Sequence, residues 1–567
     1  MPDQGKTDRR RRARADGAGA LARGQAALAH WAWEEARDAF IEALALAETP
    51  ETLEGLGWAY YWLDEADSLF DTRDRACRAY LERHDRRGAA RVAMWQAFDY
   101  TEFRGDRAIA EGLLQRAQEW LEGLDSSPEH AWLTGILAHE ALLGGKDPAR
   151  AGALAAEATR LAEATHTTEL AVLLGALEGL IAVTQGQVEA GMRRLDTAAT
   201  AALGGEVHDI NVIGTVCCYL IHACERARDF DRAAQWCERL KVLTTRWRNA
   251  AMLGSCRMQY AGILVCRGDW QAAEAELVAG RDLLARARPA MARSAIPRLA
   301  ELRRRQGRWD EAADLLTLVD HTPLGQLALA ELAYDRGDAA TAAALAERYL
   351  RRFAAQDRLE RAPGLELLAR ARIAVDDEAG ADAAVAELRR IADEVGAPLL
   401  LPSAAYAAGI VHFARGAFDE ARRQLEDAAD LFARGGSPFE AGRARIEVAR
   451  AFEALNRTAP ARAEALAARR ILAKLGATRL VERADALLAS LPEHQEQPAG
   501  AGRKSPLSER ELDVLRLVAQ GLSDKEIANR LFLSPHTVHR HISNILVKTD
   551  KPSRAAAVAW AVGQSLL

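Results

Sequence analysis

From about Ala18 to Ala489 the apolar positions recur with helical rather than strand spacing, in segments rich in Ala, Leu, Arg and Glu and poor in β-branched runs and proline. A short pattern punctuates these segments: a small or polar residue, any residue, often an aromatic or apolar residue, two of any kind, then Ala. The clearest copies are Gly268-Asp269-Trp270-Gln271-Ala272-Ala273, Gly307-Arg308-Trp309-Asp310-Glu311-Ala312 and Gly416-Ala417-Phe418-Asp419-Glu420-Ala421. Weaker copies start at Trp31, Asp71, Gly105, Gly145, Gly186, Arg228, Gly337, Asp376 and Asn456, so successive copies stand 30 to 42 residues apart. Each copy reads as a turn between two helices. The leading residue permits the turn, the aromatic residue covers it, acidic residues suit the first turn of the next helix, and the Ala lets paired helices approach closely. One such hairpin cannot bury its own face, so the copies predict a stack of helix pairs, an α-solenoid.

Two segments fall outside this periodicity. Residues 1–17, with Lys6, Arg9, Arg10, Arg11, Arg12 and Arg14, read as a basic disordered tail. Residues 491–506, rich in Pro, Gln and Gly, read as a linker between the array of 18–490 and a separate domain of 507–567.

That last domain has its own punctuation. Ser508 and Glu511 have capping-box spacing, and Leu512, Leu515 and Val518 follow as a helical apolar face ending at Gly521. Ser523 and Glu526 repeat the box ahead of a short helix with Ile527, Ala528 and Leu531 inward. Ser534 caps a third helix, with Pro535 at its first position and Val538, Ile542, Ile545 and Leu546 toward the core; a fourth runs from about Ser553 to Val562. Helix, Gly turn, short helix, brief turn, longer helix is the plan of a helix-turn-helix domain.

Charge supports a nucleic-acid partner for this end. The whole chain of 567 residues is at −6, which excludes a histone-like basic protein. Residues 501–567 hold 10 Lys/Arg and 6 Asp/Glu, a net of +4, leaving −10 for the rest. On the third helix His539, Arg540 and Ser543 lie away from the apolar face. Arg can pair with guanine in two bonds, and His or Ser can meet base edges or phosphates. Lys525, Thr537 and Lys548 are candidate phosphate contacts, and the helix starts at Ser523 and Ser534 suit phosphate oxygens. The predicted DNA-contacting set is therefore Ser523, Lys525, Ser534, Thr537, His539, Arg540, Ser543 and Lys548.

Several classes of chemistry lack a sequence signal. The seven cysteines, six of them between Cys217 and Cys266, include no C-x-x-C pair and read as small core residues of a reducing compartment. There is no phosphate-binding G-x-x-x-x-G-K-[ST], no H-E-x-x-H and no G-x-S-x-G, so no enzyme, cofactor or metal is expected. No apolar run is long enough to span a membrane, and the Arg-rich start has no apolar stretch behind it, so the expected location is cytoplasmic. The Trp and Leu stripes of the array read as packing between repeats, and no ligand-contact residue is nominated there.

Two resemblances follow. Trp33-x-x-Ala36-x-x-x-Phe40-x-x-Ala43, with Pro50, Gly57 and Tyr60 after it, resembles the tetratricopeptide repeat, at a period longer than its usual 34. Leu507-Ser508-x-Arg510-Glu511-x-x-Val514-Leu515-x-Leu517, Gly521, Lys525-Glu526-Ile527-Ala528, Leu531, Ser534, Thr537-Val538, His541 and Ile545 resemble the LuxR/NarL-type DNA-binding domain. One stretch departs from that domain: Thr549-Asp550-Lys551 stands where it usually has Leu and a Gly-containing turn. The resemblances imply an all-α chain, a tetratricopeptide-like solenoid followed by a four-helix LuxR-type domain. They imply a bacterial transcriptional regulator, more often an activator, like the sensor and DNA-binding parts of MalT-like regulators without their ATPase. The implied partners are double-stranded DNA, a second copy of the chain through the last helix, a protein or small-molecule effector in the superhelix, and RNA polymerase. The alternative is an interaction scaffold whose helix-turn-helix module docks a protein and binds DNA weakly or not at all.

Overall fold

The computed structural model describes residues 4–144, 147–247, 249–395, 400–492, 507, 509–531, 535–564 and 566–567. The side chains of 4–15, 246, 509, 529, 535–537 and 540 fall outside that description, as does most of the predicted linker, residues 493–506. Among the described residues every regular element is a helix.

The chain is a stack of antiparallel helix pairs. Inner helices Pro50–Trp62, Arg86–Asp99, Pro128–His139, Thr168–Thr184, Ile210–Ala227 and Ala250–Arg267 alternate with outer helices such as Trp33–Leu46, Ala66–Glu82 and Trp270–Ala287. The turns fall where the sequence pattern begins. Trp31, Gly105, Gly186, Arg228, Gly268, Gly307, Gly337, Asp376, Gly416 and Asn456 all have left-handed backbone, the conformation that ends one helix and releases the chain into the next. Ala273, Ala312 and Ala421 are fully buried, as close helix approach requires. Gly145 lies outside the described residues.

Two expectations are corrected. Asp71 is not a turn but lies inside the helix Ala66–Glu82; the turn is at Asp64, with φ of 58°. The copy that starts there has Leu69 in place of the final Ala, whereas Ala76 satisfied the pattern from within a helix. The N-terminal tail is also not irregular. A helix runs Gln4–Ala29, because Arg, Ala and Gln all favour helix and no proline interrupts them.

The solenoid coils tightly enough for one turn of the superhelix to touch itself. Trp33 Nε1 donates to the Trp247 carbonyl 214 residues away at 3.1 Å, and Trp31 meets the Trp247 ring edge-on. Arg288 makes the strongest closing contact. Its guanidinium donates to the Tyr61 hydroxyl at 2.8 Å, to Asp64 at 3.1 Å, and to Glu102 and the Tyr61 carbonyl, while it stacks over the Tyr61 and Phe103 rings. The next turn rests on the first. Arg358 donates to the Gln185 carbonyl at 2.6 Å, Arg226 pairs with Glu360, and Thr478 donates to the Gln306 carbonyl at 2.7 Å, 172 residues away.

The cysteines are free thiols, most of them buried on the helices between Ile210 and Arg267. Burial pushes the Cys217 thiol up to about 12 and the Cys218 thiol to about 11, so both are protonated and unreactive at neutral pH. No described helix is long and apolar enough to cross a membrane.

Candidate nucleic-acid interface

The C-terminal domain packs four helices, Glu509–Ala519, Asp524–Leu531, Pro535–Thr549 and Arg554–Gly563. Its core is Leu507, Val514, Leu515, Leu517, Ile527, Ala528, Val538, Ile542, Ile545, Ala557 and Ala561, with Leu512, Val518, Leu531 and Leu546 partly buried around it. The second capping box is formed in full: Ser523 N and Oγ donate to Glu526 Oε2 at 2.8 and 2.7 Å, and Glu526 N donates to Ser523 Oγ at 3.4 Å. These bonds hold the Glu526 carboxyl below its ordinary range. Gly521 supplies the left-handed turn before it, with φ of 81°.

The buried side of the third helix fixes which residues face out. Val538, Ile542, Ile545 and Thr549 are all buried. At 100° per residue the opposite face is then positions 540, 543, 544 and 547. Ser543 and Asn544 are exposed there, and Val547 is 81% exposed, unusual for a branched aliphatic residue in a small domain. His539 is exposed on the flank, with Nδ1 3.6 Å from Asp524, which also pairs with Arg554 at 3.0 Å.

Five of the eight candidate residues, Ser523, Lys525, His539, Ser543 and Lys548, have described side chains. Lys525 is exposed on the second helix, and His539 and Ser543 are exposed on the third. Thr537 and Arg540 lie on the helical backbone of the third helix, with side chains outside the description, and Ser534 lies outside the described residues altogether. Two residues are already engaged within the domain. The Ser523 hydroxyl and amide serve the capping box, and Lys548 Nζ donates to both carboxylate oxygens of buried Glu511 at 2.8 Å. The same exposed face also carries Asn544 and Val547, outside the set expected from the sequence. An Asn can hold adenine in two bonds, and an aliphatic side chain can meet a thymine methyl. The signal available was their spacing of four and seven from Arg540.

The departure at 549–551 also finds its explanation. Thr549 takes a core position by turning its hydroxyl back to the Ile545 carbonyl, at 2.7 Å. Asp550 adopts the left-handed conformation, with φ of 53°, that a glycine would otherwise supply. Asp550→Gly should stabilise the C-terminal domain by about 0.5–1 kcal/mol, because glycine reaches this conformation without a Cβ clash. The midpoint of that domain's melting in the full chain is the readout; an unchanged or lower midpoint would show that the aspartate is not strained.

The fourth helix begins at Ser553, whose hydroxyl accepts from Ala556 N at 3.2 Å, and leaves Ala555, Ala559 and Val562 exposed. The third helix also lies against an outer helix of the array, Phe418–Arg434, whose sequence includes Asp427 and Asp430. Among the described residues no cluster of His, Cys, Asp and Glu has the grouping of a metal site.

Residues 505–561 match the family model of luxR-family bacterial regulatory proteins. Two curated relatives are similar over the same region. The Escherichia coli nitrate/nitrite response regulator protein NarP is 57% identical over 53 residues, 9% of this chain and 25% of that protein. The Staphylococcus haemolyticus oxygen regulatory protein NreC is 43% identical over 61 residues, 11% of this chain and 28% of that protein. The chain thus spans little more than a quarter of the length of these relatives. Among solved structures, the Rap protein complexed with Competence and Sporulation Factor has a TM-score of 0.47 at 10% identity, over 61% of this chain and 98% of that one.

Proposed function

We propose that this chain, whose C-terminal domain is of the luxR-family helix-turn-helix type, is a sequence-specific transcriptional regulator that reads DNA with its third helix and takes its signal through the helical-repeat array. The observation that carries this is the formed helix-turn-helix with an outward face free of core duty. Position 540 and Ser543, Asn544 and Val547 are presented to bases, and Lys525 and His539 to the flanking backbone. Lys548 is left out of this set because buried Glu511 holds it.

Dimerisation through the exposed strip of the fourth helix suits a twofold site with half-sites about one helical turn apart. Activation rather than repression, and contact with RNA polymerase, are the corresponding readings of its output. The close approach of the third helix to the outer helix Phe418–Arg434 leaves Ser543, Asn544 and Val547 exposed, and it favours control by release, in which the array hinders the approach of the duplex to that helix. Removing two carboxylates from that outer helix, Asp427→Ala with Asp430→Ala, the second of which lies 3.9 Å from Arg445, should strengthen DNA binding about two- to tenfold, or roughly 0.4–1.4 kcal/mol. Titration of the full chain and the double variant with a selected DNA fragment checks this, and equal or weaker binding by the variant would remove the release model.

The first test is selection of genomic DNA fragments by the full chain across a salt series. A regulator selects a common sequence and loses affinity by about 0.9 log units per log unit of salt for each phosphate it neutralises. If no sequence is selected and salt has no effect, the helix-turn-helix is a protein-docking module instead.

A further inference from the structure

The first superhelical turn closes around a cavity of about 270 Å³, lined by inner helices and roofed by Arg288 and Met291. Three tryptophans spaced 37 residues apart, Trp58, Trp95 and Trp132, form a ladder along one wall. Their ring centroids are 5.0 and 5.4 Å apart. Trp58 and Trp132 also pack against core residues of the array, and Arg73 lies over the Trp58 ring, so each gives only part of its surface to the cavity. Trp33, Trp247 and Trp270 are 2–3% exposed, whereas each ladder tryptophan is only half-buried and turns ring surface into the cavity. Indole surface left against water is costly at about 25 cal/mol per Å². Three such rings lining one partly open cavity make it suited to an aromatic ligand.

Other parts of the lining are polar, among them His222, whose Nε2 meets Gln259 Nε2 at 2.8 Å. Helix Ile210–Ala227 contributes Asn211, Thr215 and Cys218, and the next inner helix contributes Ser255, whose buried Oγ has no hydrogen-bond partner among the described residues. The charges bordering the cavity are answered within the protein. Asp99 accepts from Arg73 at 3.1 Å, and Glu102 pairs with Arg288. His139 shares a hydrogen bond with the Tyr219 hydroxyl, and burial brings it down to about 4, so it is neutral at physiological pH. A charged ligand would find no free counter-charge and would lose its hydration.

We propose that this cavity is the effector site of the array and takes an uncharged aromatic molecule, held among the Trp58, Trp95 and Trp132 rings, which stand edge-on or tilted to one another, with a polar edge toward Thr215 and Ser255. The effector role rests on the regulator reading above; binding itself does not.

The test uses the full chain and two probes with the same aromatic frame: neutral N-phenyl-1-naphthylamine and its sulfonate, 8-anilinonaphthalene-1-sulfonate. Probe fluorescence and tryptophan quenching are followed to saturation. The expected result is one saturable site for the neutral probe, at least tenfold weaker binding of the sulfonate, and at least tenfold loss of the neutral probe on Trp95→Leu. Thr215→Phe, which fills the cavity without removing a ladder ring, should give the same loss and decides the matter if Trp95→Leu does not fold. Equal binding of the two probes, no saturable site, or undiminished binding by the folded variants overturns the proposal. Measuring DNA selection in the same samples separates the two readings. If the neutral probe binds but leaves DNA affinity unchanged at saturation, the cavity is a binding site and its effector role is wrong. If DNA is selected and the probe does not bind, the regulator stands and the cavity proposal falls.

Discussion

Arg288→Ala is expected to lower the stability of the array by about 3–5 kcal/mol, the effect of removing one partner from a buried ionic cluster. The loss comes from what stays behind rather than from the missing contact. Arg288 is 4% exposed and sits between the half-buried carboxylates of Asp64 and Glu102 and the buried Tyr61, which the substitution leaves without their cation. The deficit should depend on pH in a definite sense. Burial already holds the Asp64 carboxyl above its ordinary range in spite of Arg288, and without the guanidinium it rises further. A carboxyl whose folded-state pKa lies above its unfolded value contributes stability at low pH and loses it as pH rises through the folded value. The variant should therefore be closer to the parent at pH 5 than at pH 8. Denaturant unfolding at both values reads this. Replacing the whole cluster by neutral groups, Arg288→Met with Asp64→Asn and Glu102→Gln, should recover most of the loss. A deficit below 1 kcal/mol, or one that grows toward low pH, would mean that Arg288 is not what closes the superhelical turn.

Arg540→Ala should weaken binding to a selected DNA site by about 1–3 kcal/mol, roughly five- to 150-fold, and relax base preference at one position in each half-site. The argument is one of rotation. Val538, Ile542, Ile545 and Thr549 are buried, so by helical phase position 540 falls on the other side of the helix, the side that also carries Ser543, Asn544 and Val547. Arg540→Lys keeps the charge but cannot offer the paired donors that guanine accepts. It should hold affinity better than it holds base preference, and the salt slope should change by no more than one phosphate contact. Competition between the selected site and single-base variants separates these effects. If Arg540→Ala keeps both affinity and preference, base readout does not pass through this residue.

Local features were legible in the sequence because they are set within one turn or one hairpin. The capping box at Ser523 and Glu526, the turn at Gly521 and the left-handed turns from Gly105 to Asn456 each depend on a few consecutive residues. Asp71 shows the limit of that reading. A six-residue pattern ending in Ala also occurs inside an alanine-rich helix, and only the backbone identifies Asp64 as the turn. On the third helix the apolar spacing reveals which side faces the core, whereas the pairing of Lys548 with Glu511, 37 residues away, is not visible in it. The 37-residue spacing of Trp58, Trp95 and Trp132 stands in the sequence, but the cavity they line does not. Which side of an inner helix faces the channel depends on how the whole turn closes, and the residues that close it, Trp33 with Trp247 and Tyr61 with Arg288, are 214 and 227 residues apart.

Helical-repeat arrays are usually modular along their length, each repeat touching only its neighbours. The stacked turns here change how such a chain can vary over evolutionary time. Arg358 meets the Gln185 carbonyl and Thr478 the Gln306 carbonyl only while 173 and 172 residues separate them. Inserting or deleting a single repeat of about 39 residues would displace every contact of this kind downstream at once. Lineages carrying this array should therefore tolerate length changes at loop tips, and should gain or lose repeats by the whole superhelical turn rather than one at a time.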